Sequence, residues 1–94
     1  MKEIATEKLL RREVEKRGGF CVKLDPAGYV GIPDRLVVLP GVVMLIEVKR
    51  GKGGKIAPLQ HWWAERLAAL GAQHHFVVGD ADVLSLMGAY DARR

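Results

Sequence analysis

The chain has 94 residues, of which 49% are apolar and 28% charged, which predicts one soluble globular domain over residues 1–94 with a modest core. The single cysteine, Cys21, excludes an intrachain disulfide and a cysteine-cluster zinc site. Without a signal-like N-terminus or a long apolar run, we expect a cytoplasmic location and no membrane partner.

The net charge is +4 and is unevenly distributed. Residues 1–60 hold 12 Lys/Arg against 7 Asp/Glu, whereas residues 61–94 hold 3 against 4. The basic first two thirds favour a polyanionic partner such as nucleic acid. The alternative interpretation is a basic protein whose charge only keeps it soluble.

Glycine and proline divide the chain into seven predicted elements. Good helix formers precede Gly18, which ends the first helix, and aliphatic runs on either side of Pro40-Gly41 predict a hairpin covered on both faces. Pro58 suits a helix start, and Asp80 suits the N-cap of the last helix. The helices are predicted over residues 3–17, 58–70 and 80–87, and the strands over residues 20–24, 36–39, 42–48 and 73–78.

The resulting order, α-β-β-β-α-β-α, predicts an α/β fold. A central mixed sheet would have helices on both of its faces. The segments between the elements are rich in glycine, proline and lysine, and they are expected to be loops.

The candidate chemistry lies at one end of the hairpin. Because Pro40-Gly41 reverses the chain, Asp34 at the start of one strand is expected near Glu47 at the end of the next. Alternation along the strand points Glu47 and Lys49 the same way and Val48 into the core. Two carboxylates beside a buried hairpin repel each other and lose hydration. A divalent cation such as Mg²⁺ would offset both costs, with the Val48 carbonyl as a further oxygen ligand; the alternative is a salt-bridged cluster.

These residues resemble a known family. Pro33-Asp34 followed by Glu47-x-Lys49 matches the PD-(D/E)XK nuclease pattern, whose fold is restriction-endonuclease-like. The fuller pattern is similar to the VRR-NUC branch, the virus-type replication-repair nuclease domain, and the resemblance runs from about residue 4 to residue 88. Ala57 is a poorer helix cap than Ser or Thr would be. The matching residues are Glu7, Gly31-Ile32-Pro33-Asp34-Arg35, Glu47-Val48-Lys49 and Gln60.

The resemblance implies a role for each polar residue of the motif. Asp34 and Glu47 are expected to bind Mg²⁺ or Mn²⁺, and Lys49 to be the catalytic lysine. Gln60, in the first turn of its helix, could reach the lysine, the water or a phosphate; the alternative is a solvated helix residue. Glu7 could hold a metal-bound water or a second metal; the alternative is an ion pair with the residue four positions later.

The segments that flank the motif supply candidate DNA contacts. Their basic side chains could pair with phosphates, although an ordinary solvated loop has the same composition. Tyr29 could stack on a base or sugar, or it could be structural. The candidate phosphate contacts are Lys23, Arg35, Arg50, Lys52 and Lys55.

Three other features receive structural interpretations. His74 and His75 are adjacent on a predicted strand, so they face opposite sides and cannot chelate one metal together. Cys21 fits a small apolar core position. Trp62 and Trp63 lie about 100° apart on a helix, so one is expected in the core and the other at its edge, where a dimer contact could form.

The function predicted from these observations is a metal-dependent, structure-specific DNA endonuclease without an organic cofactor. The resemblance implies a small homodimer that resolves four-way (Holliday) junctions. The alternatives are a flap- or sequence-dependent nuclease of the same superfamily, a non-catalytic DNA-binding module, and a small interaction protein with a salt-bridged hairpin.

Overall fold

The computed structural model describes residues 3–93, and their order of elements is the predicted one. Within that range, no helix combines the length and the apolar character that crossing a membrane requires. The helices are α1 (Ala5–Lys16), α2 (Pro58–Ala69) and α3 (Gly79–Ala92), and the strands are β1 (Phe20–Lys23), β2 (Arg35–Leu39), β3 (Val42–Lys49) and β4 (His74–Val78).

The four strands form one mixed sheet in the order β1-β2-β3-β4, which confirms the predicted fold class. The first three strands are antiparallel, and β4 runs parallel to β3 after the crossover through α2. The register pairs Arg35 with Ile46. The start of β2 and the end of β3 therefore lie at the same edge of the sheet.

The core lies on one face of the sheet, where α1 and α3 cover it. Val48 points into this core, as predicted. Side chains of both helices interdigitate with those of the strands, which removes their apolar area from water. The buried residues are Leu10, Val14, Val37, Leu39, Met44, Ile46, Val48, Val77, Val83 and Met87.

The opposite face is only partly covered, which corrects the expectation that both faces of the hairpin are buried. Helix α2 lies on this side, but it packs against β4 rather than across the antiparallel strands. Phe20, Val22 and Val43 consequently keep 50%, 42% and 57% of their surface exposed.

The prediction that one tryptophan enters the core is also wrong. No residue of α2 is fully buried, and Trp62 is 52% exposed. Trp63 is half-buried, and its indole N–H donates to the Val30 carbonyl (3.0 Å). The reason is the position of α2, which lies beside β4 and the loop before β2 rather than over the centre of the sheet.

The last helix differs from the prediction at both ends. Asp80 lies inside the first turn, where its carboxylate accepts a hydrogen bond from the Thr6 hydroxyl (3.0 Å). The carboxylate that accepts from the Val78 N–H at the helix start is that of Asp82 (2.8 Å). The helix also continues past Met87 to Ala92, because one internal glycine costs a helix only about 1 kcal/mol.

Candidate active site

Two carboxylates meet at the sheet edge where β2 begins and β3 ends. Asp34 directly precedes β2, and its Oδ1 accepts a hydrogen bond from the Val48 N–H of β3 (3.2 Å). The neighbouring Glu47 side chain is 7% exposed, and that of Asp34 is 28% exposed. The turn at Pro40-Gly41 thus brings Asp34 to Glu47, as the sequence predicts.

The proximity of the two acids perturbs their ionisation. Burial and the charge of Asp34 together raise the pKa of Glu47 to about 7, even though Lys49 acts to lower it. Burial also raises the pKa of Asp34, opposed by the Val48 N–H bond and by the charge of Arg35. Binding of a proton or of a cation would therefore stabilise the two carboxylates.

The donor set fits a hard divalent cation. Mg²⁺ is usually held by one or two carboxylates, with water and phosphate oxygens completing its shell. Across residues 3–93 there is no cluster of three or more His, Cys, Asp or Glu side chains suited to a metal. Asp34 and Glu47, at the floor of a cleft open to solvent, match the Mg²⁺ pattern better than that of a closed protein cage.

Lys49 and Gln60 both approach the same oxygen of Glu47. The Lys49 ammonium lies 3.6 Å from Glu47 Oε2. Gln60 donates from Nε2 to that oxygen (3.2 Å), while its Oε1 accepts from the Ala57 N–H (2.8 Å). The glutamine thus caps its own helix and reaches the Glu47 carboxylate. The helix start is thus capped by Gln60 although Ala57 has no side-chain acceptor.

Glu7 and Arg35 form a buried ion pair beside the acids. Glu7 Oε2 binds the Arg35 guanidinium, and Glu7 Oε1 accepts from the Ile4 N–H (2.8 Å). Arg35 is 4% exposed and also donates to the Asp34 backbone carbonyl (3.1 Å). Arg35 is therefore not a surface phosphate contact, as its sequence position suggested, because its charge is enclosed and paired. The alternative partner considered for Glu7, Arg11, instead pairs with two other glutamates.

A cleft of about 790 Å³ opens above the carboxylates. One wall is the segment from Lys23 to Ile32, and the other is the basic loop after β3. Lys52 lies on the exposed turn of that loop, outside the lining. The candidate residues that line the cleft are Glu7, Lys23, Tyr29, Asp34, Glu47, Val48, Lys49, Arg50, Lys55 and Gln60.

The contacts that fix the first wall of the cleft were not predicted from the sequence. One contact is the hydrogen bond from the Trp63 indole N–H to the Val30 carbonyl. The next residue, Gly31, has φ +89°, and a Cβ there would lie 2.8 Å from Leu59 Cγ. Glycine is thus required at this position by both backbone conformation and space. The one feature of the sequence that indicates such a contact is the Trp63 N–H, which needs a hydrogen-bond acceptor when partly buried. The sequence does not identify that acceptor as the Val30 carbonyl.

Known proteins resemble this chain in sequence and in fold. No family model matches the chain. It is 42% identical over 86 residues to "Putative nuclease p44" of Acyrthosiphon pisum secondary endosymbiont phage 1, covering 90% of this chain and 89% of that protein. A solved VRR_NUC domain superposes with a TM-score of 0.81 at 38% identity, covering 90% of this chain and 92% of that one. The chain belongs to the VRR-NUC family.

A second solved structure, a VRR_NUC domain protein, shares the fold of this VRR-NUC domain. It superposes with a TM-score of 0.65 at 16% identity and covers 96% of this chain and 90% of its own. The family resemblance inferred from Gly31 to Arg35, Glu47 to Lys49 and Gln60 is confirmed by the 42% identical relative and the 38% identical solved domain.

Proposed function

We propose that this VRR-NUC domain is a divalent-cation-dependent DNA endonuclease that hydrolyses phosphodiester bonds. The observation that carries the proposal is Glu47, a buried carboxylate whose pKa is raised to about 7 beside Asp34. It lies next to Lys49 at the floor of a cleft with basic walls. The relative named as a nuclease supports the same activity.

Asp34, Glu47 and the Val48 carbonyl would hold Mg²⁺ or Mn²⁺, with water and substrate oxygens as the other ligands. When bound, the cation favours ionisation of a nearby water and offsets the negative charge that builds up on the phosphate. Gln60 would keep Glu47 oriented through the hydrogen bond that its side-chain amide donates to the carboxylate. Glu7 would act less directly, because its oxygens bind the Ile4 N–H and Arg35.

Lys49 would act on the reacting groups themselves. Its ammonium carries three donors on a flexible stem. One can remain directed at Glu47 while others bind a phosphate oxygen or orient the attacking water. On the walls of the cleft, Lys23, Arg50 and Lys55 would pair with neighbouring phosphates and fix the strand, and Lys52 would contribute from the exposed turn.

The proposal extends to a homodimer that cuts four-way junctions. Its support is the partly uncovered face of the sheet, where six apolar side chains are neighbours by register. Single exposed apolar residues are common on protein surfaces, but a contiguous patch of this kind is typical of an interface. A two-fold interface uses the same patch on both copies. Glu47 and Lys49 share this face by alternation, so a second copy would bring its own cleft to the rim of the interface. The patch consists of Phe20, Val22, Leu36, Val38, Val43 and Leu45.

A cleavage assay tests the activity. Labelled four-way junction, flap, single strand and linear duplex are incubated with Mg²⁺, Mn²⁺ or EDTA. We expect metal-dependent nicking of the junction that is lost in Lys49→Ala and kept in Lys8→Ala, an exposed α1 lysine outside the cleft. Cleavage that survives in Lys49→Ala would reject the site, and equal cleavage of linear duplex and junction would reject the shape preference.

Sedimentation tests the dimer. We expect a mass of two copies at micromolar concentration. We expect a single-copy mass for Val43→Lys, which places a charge at the most exposed side chain of the patch. A wild-type protein that sediments as one copy would reject the dimer while leaving the nuclease proposal intact.

A further inference from the structure

Three aromatic side chains form a continuous strip from the cleft onto α2. Tyr29 lines the cleft and is 53% exposed. Its ring centroid lies 5.9 Å from that of Trp63, at an interplanar angle of 49°. Trp63 in turn lies 5.0 Å from Trp62, nearly perpendicular to it, and Trp62 is 52% exposed. We call Tyr29, Trp63 and Trp62 the aromatic strip.

The strip is fixed in place rather than loosely attached. The Trp63 N–H bond to the Val30 carbonyl ties the loop of Tyr29 to α2. Gly31, the next residue of the same loop, lies so close to Leu59 of α2 that an added Cβ would clash. Covering rigid aromatic surface releases ordered water and orders few additional side-chain rotamers, so such a surface favours binding.

The surroundings of the strip match a nucleic acid strand. Lys23, Arg50 and Lys55 line the same cleft as Tyr29, so cations lie beside an exposed aromatic ring. Proteins bind single strands with this combination, because bases stack on the rings while phosphates pair with the cations. In a duplex, the bases are stacked on each other and offer no face to the strip.

The depth of the cleft also favours an unpaired strand as the substrate. The Glu47 side chain is 7% exposed at the cleft floor, so the scissile phosphate must enter between the cleft walls. An unpaired strand can bend into such a cleft while its next bases follow the rim.

We propose that the aromatic strip stacks unpaired bases of the DNA strand that is cut. The substrate would then carry single-stranded nucleotides beside the scissile phosphate, as at a flap or at an opened branch point. This inference rests on the proposed nuclease function and specifies the substrate of the same cleft.

A binding measurement in EDTA tests the strip without cleavage. The fluorescence of the two tryptophans is followed as an oligothymidylate of about ten nucleotides, or a duplex of equal length, is added. We expect the oligothymidylate to quench the fluorescence and to bind more tightly than the duplex. Tyr29→Ala and Trp62→Ala should each weaken binding about fivefold or more. Tyr29→Phe should bind like the wild type, as should Leu84→Ala, which removes an exposed apolar side chain of α3.

Three outcomes would overturn the inference. They are failure of the wild type to bind oligothymidylate, equal binding by Tyr29→Ala, and conversion of a dimer to one copy by Trp62→Ala, which would make the strip a subunit contact. With metal present, Tyr29→Ala should raise KM on a flap more than it lowers kcat. Loss of cleavage in Lys49→Ala tests the nuclease separately. If Lys49→Ala abolishes cleavage but Tyr29→Ala changes neither binding nor cleavage, the role of the aromatic strip is rejected and the nuclease proposal stands.

Discussion

A proton and a metal ion should compete for Glu47. Burial, together with the charge of Asp34, raises the pKa of Glu47 to about 7. With that pKa, about 90% of the carboxylates are ionised at pH 8 and about 10% at pH 6. Because a cation binds the ionised form, its apparent affinity should fall about tenfold between these pH values. A glutamate with the ordinary pKa of 4.5 would lose only about 3% of its ionised form.

Isothermal titration with Mg²⁺ or Mn²⁺, without DNA, measures this competition. We expect the apparent Kd to be about tenfold weaker at pH 6 than at pH 8, and Glu47→Gln to abolish the pH-dependent binding. Glu15→Gln, at a glutamate whose side chain is 53% exposed on α1, should leave both values unchanged. An apparent Kd that changes less than about twofold between pH 6 and pH 8 would refute the reasoning.

The same shift predicts how stability depends on pH. The folded pKa of Glu47 lies above its unfolded value, so its contribution to stability is fully present below about pH 4.5 and is lost as the pH rises through 7. Metal binding offsets this loss. The increase in Tm caused by Mg²⁺ should therefore be larger at pH 8 than at pH 6, which differential scanning fluorimetry measures.

Three further predictions follow from individual contacts. Gln60→Glu keeps the helix cap but places a second carboxylate against Glu47, so the acid limb of the pH–rate profile should move to higher pH; an unchanged limb would exclude this contact from the active enzyme. Arg35→Met leaves Glu7 buried without its partner and should lower stability by about 3–5 kcal/mol in urea unfolding. Glu7→Leu combined with Arg35→Met should recover most of that loss, and a double variant no more stable than Arg35→Met would contradict the argument. His74 Nε2 is buried with no hydrogen-bond partner among residues 3–93, so His74→Leu should stabilise the fold by about 1 kcal/mol. Burial lowers the pKa of His74, so this gain should grow as the pH falls below 6.5, and a smaller gain at pH 5 than at pH 8 would disprove it.

The parts of the site that sequence predicted are those set by local geometry. The turn at Pro40-Gly41 fixes the register of two adjacent strands, and this register brings Asp34 to Glu47. Alternation along β3 then orients Glu47 and Lys49. Such rules need only residues that are close in sequence, so the pattern of the chain contains the information.

The parts that sequence did not predict depend on contacts between distant elements. Arg35 has a basic side chain near the motif, which favours a phosphate contact, yet it pairs with Glu7, 28 residues earlier in the chain. The spacing of Trp62 and Trp63 is typical of a core helix, but α2 lies beside β4, where neither ring reaches the core. The spacing of apolar residues shows which side of a helix is apolar, but it does not show the part of the fold against which that side packs.

The buried charges of this domain are concentrated where they weaken the fold. A buried ion pair such as Glu7 with Arg35 is often no more stabilising than apolar residues of similar volume, and Glu47 costs stability at neutral pH because burial raises its pKa. Arg35 also binds the backbone carbonyl of Asp34. The pair therefore connects α1 to the residue whose carboxylate would bind the cation. Natural sequences accept such costs at functional sites, where geometry has to be fixed before substrate arrives. The position of this arginine is thus better explained by the orientation of Asp34 than by stability.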